Sequence, residues 1–212
     1  MSDADFLTDT RRFYDAVAED YAERFRDPHA ERPLDRAVLG AYAELVGGTG
    51  QVADLGCGPG RVTAYLAALG LRVYGLDLSE SMLAVARREN PGLRFEQGSM
   101  LDLDLADGAL AGVVSWYSTV HFPEDRLPEL FAEFRRVLAP GGHLLLGFPV
   151  GDRPRRYEQP FGYDGVVEFQ RRRPDRIADL LAAAGLSVRA RTVRETEGTE
   201  ASPQAFLIAR RP

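Results

Sequence analysis

Residues 51–60 read QVADLGCGPG and residues 72–78 read RVYGLDL, and the way these two stretches are joined decides the fold. QVADLG is a short apolar run that leads into glycines at alternate positions, Gly56, Gly58 and Gly60. The following RVTAYLAALG has the length of a crossover helix and stops at Gly70. Glycines at the end of a strand permit positive φ and let the backbone approach a ligand, while the next helix offers N–H groups to an anionic group. Asp77 closes the second run about 20 residues beyond the loop, where dinucleotide folds place an acid that hydrogen-bonds ribose hydroxyls. A ribose-bearing ligand is therefore expected.

Outward from this unit the alternation continues. Residues 93–98, 110–117 and 143–148 read as further short strands bounded by Gly, Pro or polar residues. Ser79 can cap SESMLAVARREN, which Pro91 ends, and EDRLPELFAEFRRVL spaces its Leu, Phe and Val residues as a half-buried helix ended by residues 139–142. PDRIADLLAAAG is a last helix, followed by LSVRARTV and QAFLIARR as a closing hairpin, while residues 5–26 and 33–46 form two helices ahead of the first strand. The expected fold is α/β: a Rossmann-like, seven-stranded, mostly parallel sheet with helices on both faces and an antiparallel C-terminal hairpin. One domain over residues 1–212 is expected. It divides into an N-terminal helical cap (1–48), a ligand-binding core (49–150), a connection at the ligand mouth (151–173) and a helix with the hairpin (174–212).

Composition narrows the function. The chain has 212 residues, 45% hydrophobic and 27% charged, enough for one buried core. Its net charge of −6 opposes association with nucleic acid or an anionic membrane, and neither is expected as a partner. No apolar run suits a membrane helix and the N-terminus lacks a signal-peptide pattern, so a cytoplasmic protein, monomer or homodimer, is expected. The single cysteine, Cys57, excludes an internal disulfide, and with three histidines no metal site is expected. All 26 basic residues are arginine, which excludes a lysine nucleophile.

VADLGCGPG followed by GLDLS resembles the first two motifs of the class I S-adenosylmethionine-dependent methyltransferases. QGSM, VVSWYSTVHF and LAPGGHLLL resemble the later motifs in the same order, over residues 10 to 212. The likeness is to the small-molecule, ubiquinone-biosynthesis type, whose tyrosine-bearing first helix YDAVAEDYAERF is similar to. The resemblance implies S-adenosyl-L-methionine as cofactor. Asp54, Gly56, Cys57 and Gly58 would lie at its methionyl end, Asp77 at the ribose, and Leu78, Met82, Ser99, Met100 and Trp116 around the remainder. Ser99 departs from the family's usual Asp, with Asp102 a possible substitute. A nicotinamide dehydrogenase is the rival reading, but its fingerprint is GxGxxG rather than GxGxG, and Asp54 would repel a pyrophosphate. A non-catalytic protein that binds the same cofactor would carry the same loop.

Methyl transfer from a sulfonium is an in-line displacement that demands alignment more than chemistry from the protein. The segment after the fourth strand supplies Trp116, Tyr117 and His121, and His121 is the candidate general base. SWYSTVHF lacks the Asn/Asp-Pro-Pro-aromatic motif of nucleic-acid amino methyltransferases, and residues 113–122 hold no acid for a metal. A small organic acceptor is expected, lined by Tyr14, Tyr21, Tyr117, His121, Tyr157 and Phe161, with Tyr163 and Phe169 as further apolar walls and Arg153, Arg155 and Arg156 as candidate anion ligands. VVEFQ, within the same connection, reads alternatively as a short strand at the sheet margin.

Overall fold

In the first strand, β1 (Gln51–Leu55), alternation sends Val52 and Asp54 to one face and Ala53 and Leu55 to the other. The computed structural model describes residues 3–25, 32–48, 50–198 and 200–212, so residues 1, 2 and 26–31 of the expected N-terminal cap lie outside the described residues. β1 pairs in parallel with β2 (Arg72–Asp77) on one side and with β4 (Leu110–Trp116) on the other. Beyond β2 lies β3 (Phe95–Gln97), and beyond β4 lies β5 (Leu138–Pro149). β9 (Gln204–Arg210) runs antiparallel to β5, and β8 (Ser187–Arg194) antiparallel to β9, giving the order β3-β2-β1-β4-β5-β9-β8. This is the expected seven-stranded sheet.

Helices cover both faces. α2 (Pro33–Val46) and α3 (Arg61–Ala68) bury Leu39, Tyr42 and Leu66 against Val52, Val114, Leu145 and Ile208. On the other face α5 (Leu127–Val137) and α6 (Pro174–Ala183) bury Leu130, Phe131, Phe134 and Leu181 against Ala53, Val113, Leu144 and Leu207. Full burial of each such side chain contributes about 1.5–3 kcal/mol, which makes these two interfaces the main source of stability. α1 (Asp3–Arg24) packs on α4 (Glu80–Glu89), where Ser79 caps α4 by accepting from the Met82 N–H at 3.1 Å. No helix among the described residues is long and apolar enough to cross a membrane.

Two local expectations change. β5 begins at Leu138, so residues 139–142 end the helix yet already belong to a strand, with a register shift between Leu110 and Gly112 where Gly141 takes φ 85°. VVEFQ does not join the sheet margin. Val166–Phe169 (β7) pairs instead with Arg155–Glu158 (β6) as a separate hairpin. The ends of this excursion are pinned together, because the Arg172 N–H donates to Pro149 O at 2.9 Å and the Gly151 N–H to Arg172 O at 3.2 Å. Just after β7 it is tied to the turn after β4 by the Gln170 N–H, which donates to Val120 O at 2.6 Å.

A buried ion cluster joins α2 to the far edge of the sheet. Arg194, 3% exposed, donates to Asp35 Oδ1 at 3.1 Å and to both carboxylate oxygens of Glu200 at 2.8 Å; Asp35 is 1% exposed. Removing one member of such a cluster leaves an uncompensated buried charge, which costs about 3–5 kcal/mol. Arg194→Ala is expected to lower unfolding free energy by about that amount in urea denaturation, since both Asp35 and Glu200 lose their partner. A loss below about 1 kcal/mol would assign the cluster no structural role.

Candidate functional site

The strand order reverses between β1 and β4, and the carboxyl ends of these strands open into one cavity of about 620 Å³. Its floor is the glycine loop. Gly56 has φ 73°, and a Cβ there would stand 2.3 Å from Ser118 Cβ, so only glycine lets the loop pass under the end of β4. Gly58 has φ 53°, and a Cβ there would meet no atom within 4 Å: the loop leaves open space that a ligand can fill. Asp77 holds this shape. Its Oδ2 accepts from the Gly58 N–H at 2.8 Å and its Oδ1 from the Ser79 N–H at 2.9 Å, and burial raises its pKa against the lowering effect of those bonds.

Fourteen of the side chains or backbone positions expected from the sequence line the cavity: Gly56, Cys57, Gly58, Asp77, Leu78, Met82, Met100 and Trp116 on the loop side, and Tyr14, Tyr21, Tyr117, His121, Tyr157 and Phe161 opposite. Asp54 and Ser99 do not. Asp54 lies beneath the loop on the α3 side, where Thr63 Oγ1 donates to its Oδ2 at 2.7 Å, because alternation along β1 turns it toward the helix layer. Burial raises its pKa to about 7. Ser99 is absent from the wall because its Oγ accepts from the Leu101 N–H at 3.2 Å, closing a local turn with Asp102. Cys57 is buried and its pKa is raised well above the usual thiol value, so it is a filler rather than a nucleophile.

The opposite wall is aromatic. Phe13 of α1 lies 5.2 Å from Tyr163 and 6.3 Å from Phe169, and Tyr21 lies 5.4 Å from Phe161, so α1 and the β6–β7 hairpin close over the cavity together. His121 sits in this wall with Nε2 2.9 Å from the Tyr14 hydroxyl, and its ring also meets the backbone carbonyl of Glu168. Desolvation lowers its pKa to about 4. Arg61, at the start of α3, reaches back to the end of α1: it donates to Ala22 O and Phe25 O and lies 5.5 Å over the Tyr21 ring. Phe169, expected as an apolar wall, lines the cavity, whereas Tyr163, expected beside it, does not. Sequence reading did not find Arg61 or Phe25, and only the YAERF pattern in α1 hinted at Phe25.

Residues 52–142 match the family described as a methyltransferase domain. The chain is 39% identical over 107 residues to the malonyl-[acyl-carrier protein] O-methyltransferase of Pectobacterium atrosepticum, covering 50% of this chain and 39% of that one. It is 37% identical over 151 residues to the trans-aconitate 2-methyltransferase of Paracidovorax citrulli, covering 66% and 48%. The chain thus spans between about two-fifths and one half of the length of these curated relatives. Among solved structures it resembles the Burkholderia thailandensis 1,6-didemethyltoxoflavin-N1-methyltransferase with bound 1,6-didemethyltoxoflavin and S-adenosylhomocysteine. The TM-score is 0.77 at 21% identity, covering 100% of this chain and 91% of that one.

The raised pKa of Asp54 has a measurable sign. Between the unfolded value of about 3.9 and the folded value the native state binds more protons than the unfolded one, so ligand-free stability falls as pH rises from about 4 through 7. Asp54→Asn keeps the acceptor for Thr63 without the charge. It is expected to match the wild type in thermal melting near pH 4 and to exceed it near pH 8. Identical pH dependence in the two proteins would place the ionised Asp54 in a solvated setting.

Proposed function

We propose that this chain, whose residues 52–142 match a methyltransferase domain, is a class I S-adenosylmethionine-dependent methyltransferase that transfers a methyl group from S-adenosylmethionine to a small organic acceptor. The observation that carries this reading is the glycine loop tied to Asp77 at the floor of an aromatic cavity. The residues fit the cofactor. Asp77 would receive the ribose hydroxyls, and Leu78, Met82 and Met100 form an apolar slot for the adenine. Open space at Gly58, beside Gly56 and Trp116, would take the aminoacyl end, and Asp54 sets the charge beneath it. When bound, the cofactor supplies a methyl carbon made electrophilic by a cationic sulfur.

The chain's own contribution is alignment and exclusion of water. Tyr21, Tyr157 and Phe161 would flank the acceptor, and the Tyr14–His121 pair would orient it. His121 enters as a positioning group, because its Nε2 is already engaged with the Tyr14 hydroxyl and its burial makes it a poor base. The relative named for trans-aconitate, and the neighbour with bound 1,6-didemethyltoxoflavin, support a small molecule in this space. The test is incubation with S-adenosylmethionine and a metabolite extract, followed by mass spectrometry. A metabolite heavier by one methylene, with S-adenosylhomocysteine formed alongside, is the expected result. Cofactor binding without any transferred methyl would make the protein a cofactor-binding module instead.

A second prediction follows from His121. Wild-type turnover should show no ascending limb assignable to His121 between about pH 6 and 9, and His121→Gln should raise KM for the acceptor while leaving cofactor affinity nearly unchanged. A limb near neutral pH that disappears in His121→Gln would restore the general-base role.

A further inference from the structure

The turn after β4 is held by a buried cation that lies behind the cavity wall. Residues 119–121 form a single helical turn, and Val120, His121 and the following Phe122 line the cavity. Its entry is fixed by the Tyr117 N–H, which donates to Gly147 O at 2.8 Å, and by the Ser115 and Ser118 hydroxyls, 2.6 Å apart. Its exit is fixed from the β6–β7 excursion. Arg172 donates through Nη2 to Phe122 O and, at 3.5 Å, to Thr119 O, while the Gln170 N–H donates to Val120 O between them. Residues 170–172 thus hold three carbonyls of the turn and its exit.

The guanidinium is costly in that place. Arg172 is 6% exposed, its Nε meets no partner, and burial lowers its pKa. The acid that faces it, Glu124, is exposed and accepts from Arg176 Nε at 2.9 Å, so no carboxylate among the described residues pairs with Arg172. A buried cation without a counter-ion is offset here by charge-assisted bonds to main-chain carbonyls. Two walls of the cavity meet at the turn it holds. On one side His121 Nε2 lies 2.9 Å from the Tyr14 hydroxyl and Phe122 5.3 Å from Phe6, both on α1. On the other the His121 ring lies 4.8 Å from Phe169, which lies 5.2 Å from Tyr157. A small shift of the turn changes both spacings at once, and in-line displacement is sensitive to such shifts.

We infer that Arg172 is a positioning residue for the acceptor: it locks the turn that carries His121 to the connection that carries Tyr157 and Phe169, so that the two walls keep one spacing. This rests on the methyltransferase reading above. Arg172 does not itself line the cavity and acts through the turn. The glycine loop is held separately, by the bonds from the Gly58 and Ser79 N–H groups to Asp77. Loss of Arg172 therefore falls on the acceptor side and spares the cofactor.

The experiment compares the full chain with Arg172→Met, which keeps an unbranched stem without a donor. Transfer from methyl-labelled S-adenosylmethionine is followed at increasing amounts of metabolite extract, and S-adenosylhomocysteine affinity is measured by calorimetry. Arg172→Met is expected to need at least about tenfold more extract for half-maximal rate, with S-adenosylhomocysteine affinity within about twofold of the wild type. Hydrogen exchange followed by NMR should show lost protection at the Phe122 and Gln170 amides and unchanged protection at Gly58 and Ser79. Arg176→Met, which removes only the exposed pair with Glu124, should match the wild type in every reading. If Arg172→Met does not fold, Arg172→Gln, which keeps one neutral donor, decides by the same readings. Unchanged dependence on extract, or an equal loss of S-adenosylhomocysteine affinity, would make Arg172 a purely structural residue and overturn the inference. A wild type that binds S-adenosylhomocysteine but methylates nothing in the extract would overturn the methyltransferase reading, and the positioning role with it.

Discussion

The carboxylate of Asp77 is the constraint on which the site depends. It stands at the end of β2, accepts from the Gly58 N–H across the loop and from the Ser79 N–H ahead of α4, and so fixes two successive strand-to-helix turns against each other. Ser79 extends the chain of bonds: its hydroxyl donates to Asp15 Oδ1 at 2.7 Å, and the Ser81 N–H donates to the same oxygen at 3.3 Å, which docks α1 on the start of α4. One acid thereby links the cavity floor to the helix that roofs it. Charge-assisted bonds to backbone N–H groups are about twice as strong as neutral ones, so this arrangement is set before any ligand arrives.

A roof of tyrosines and phenylalanines helps bury the titratable groups of the site, and that burial governs their chemistry. The Tyr14 and Tyr21 hydroxyls are pushed up by burial, His121 is pushed down, and Asp54 is held near neutrality beneath the loop. A site built this way disfavours acid–base work and favours displacement between groups that are already reactive, where precise placement supplies most of the acceleration. The same low dielectric strengthens any hydrogen bond a ligand makes.

Much of this was legible in the sequence because it is local. Gly56, Gly58 and Asp77 announce themselves by spacing, while Leu78, Met82 and Met100 came from the resemblance to the methyltransferase motifs; all line the cavity. The parallel sheet followed from the alternation of short apolar runs and amphipathic helices. What escaped depends on side-chain direction or on distant pairing. Asp54 was visible as an acid, but its side chain follows the face of Val52 toward Thr63, away from the cavity. Ser99 was assigned by analogy, while its hydroxyl closes its own turn. RRYE and VVEF carry weak strand signals, and only their mutual pairing makes a hairpin. Asp35 and Arg194 are 159 residues apart, and no local pattern in one sequence brings them together.

The most direct test of the account is calorimetric titration of the wild type and Asp77→Ala with S-adenosylhomocysteine and, separately, with NADH. The account predicts one S-adenosylhomocysteine per chain, much weaker binding of NADH, and a loss of at least about tenfold for S-adenosylhomocysteine in Asp77→Ala, since both the ribose contact and the loop support go with the carboxylate. Undiminished affinity in Asp77→Ala, or tighter binding of NADH than of S-adenosylhomocysteine, would contradict it.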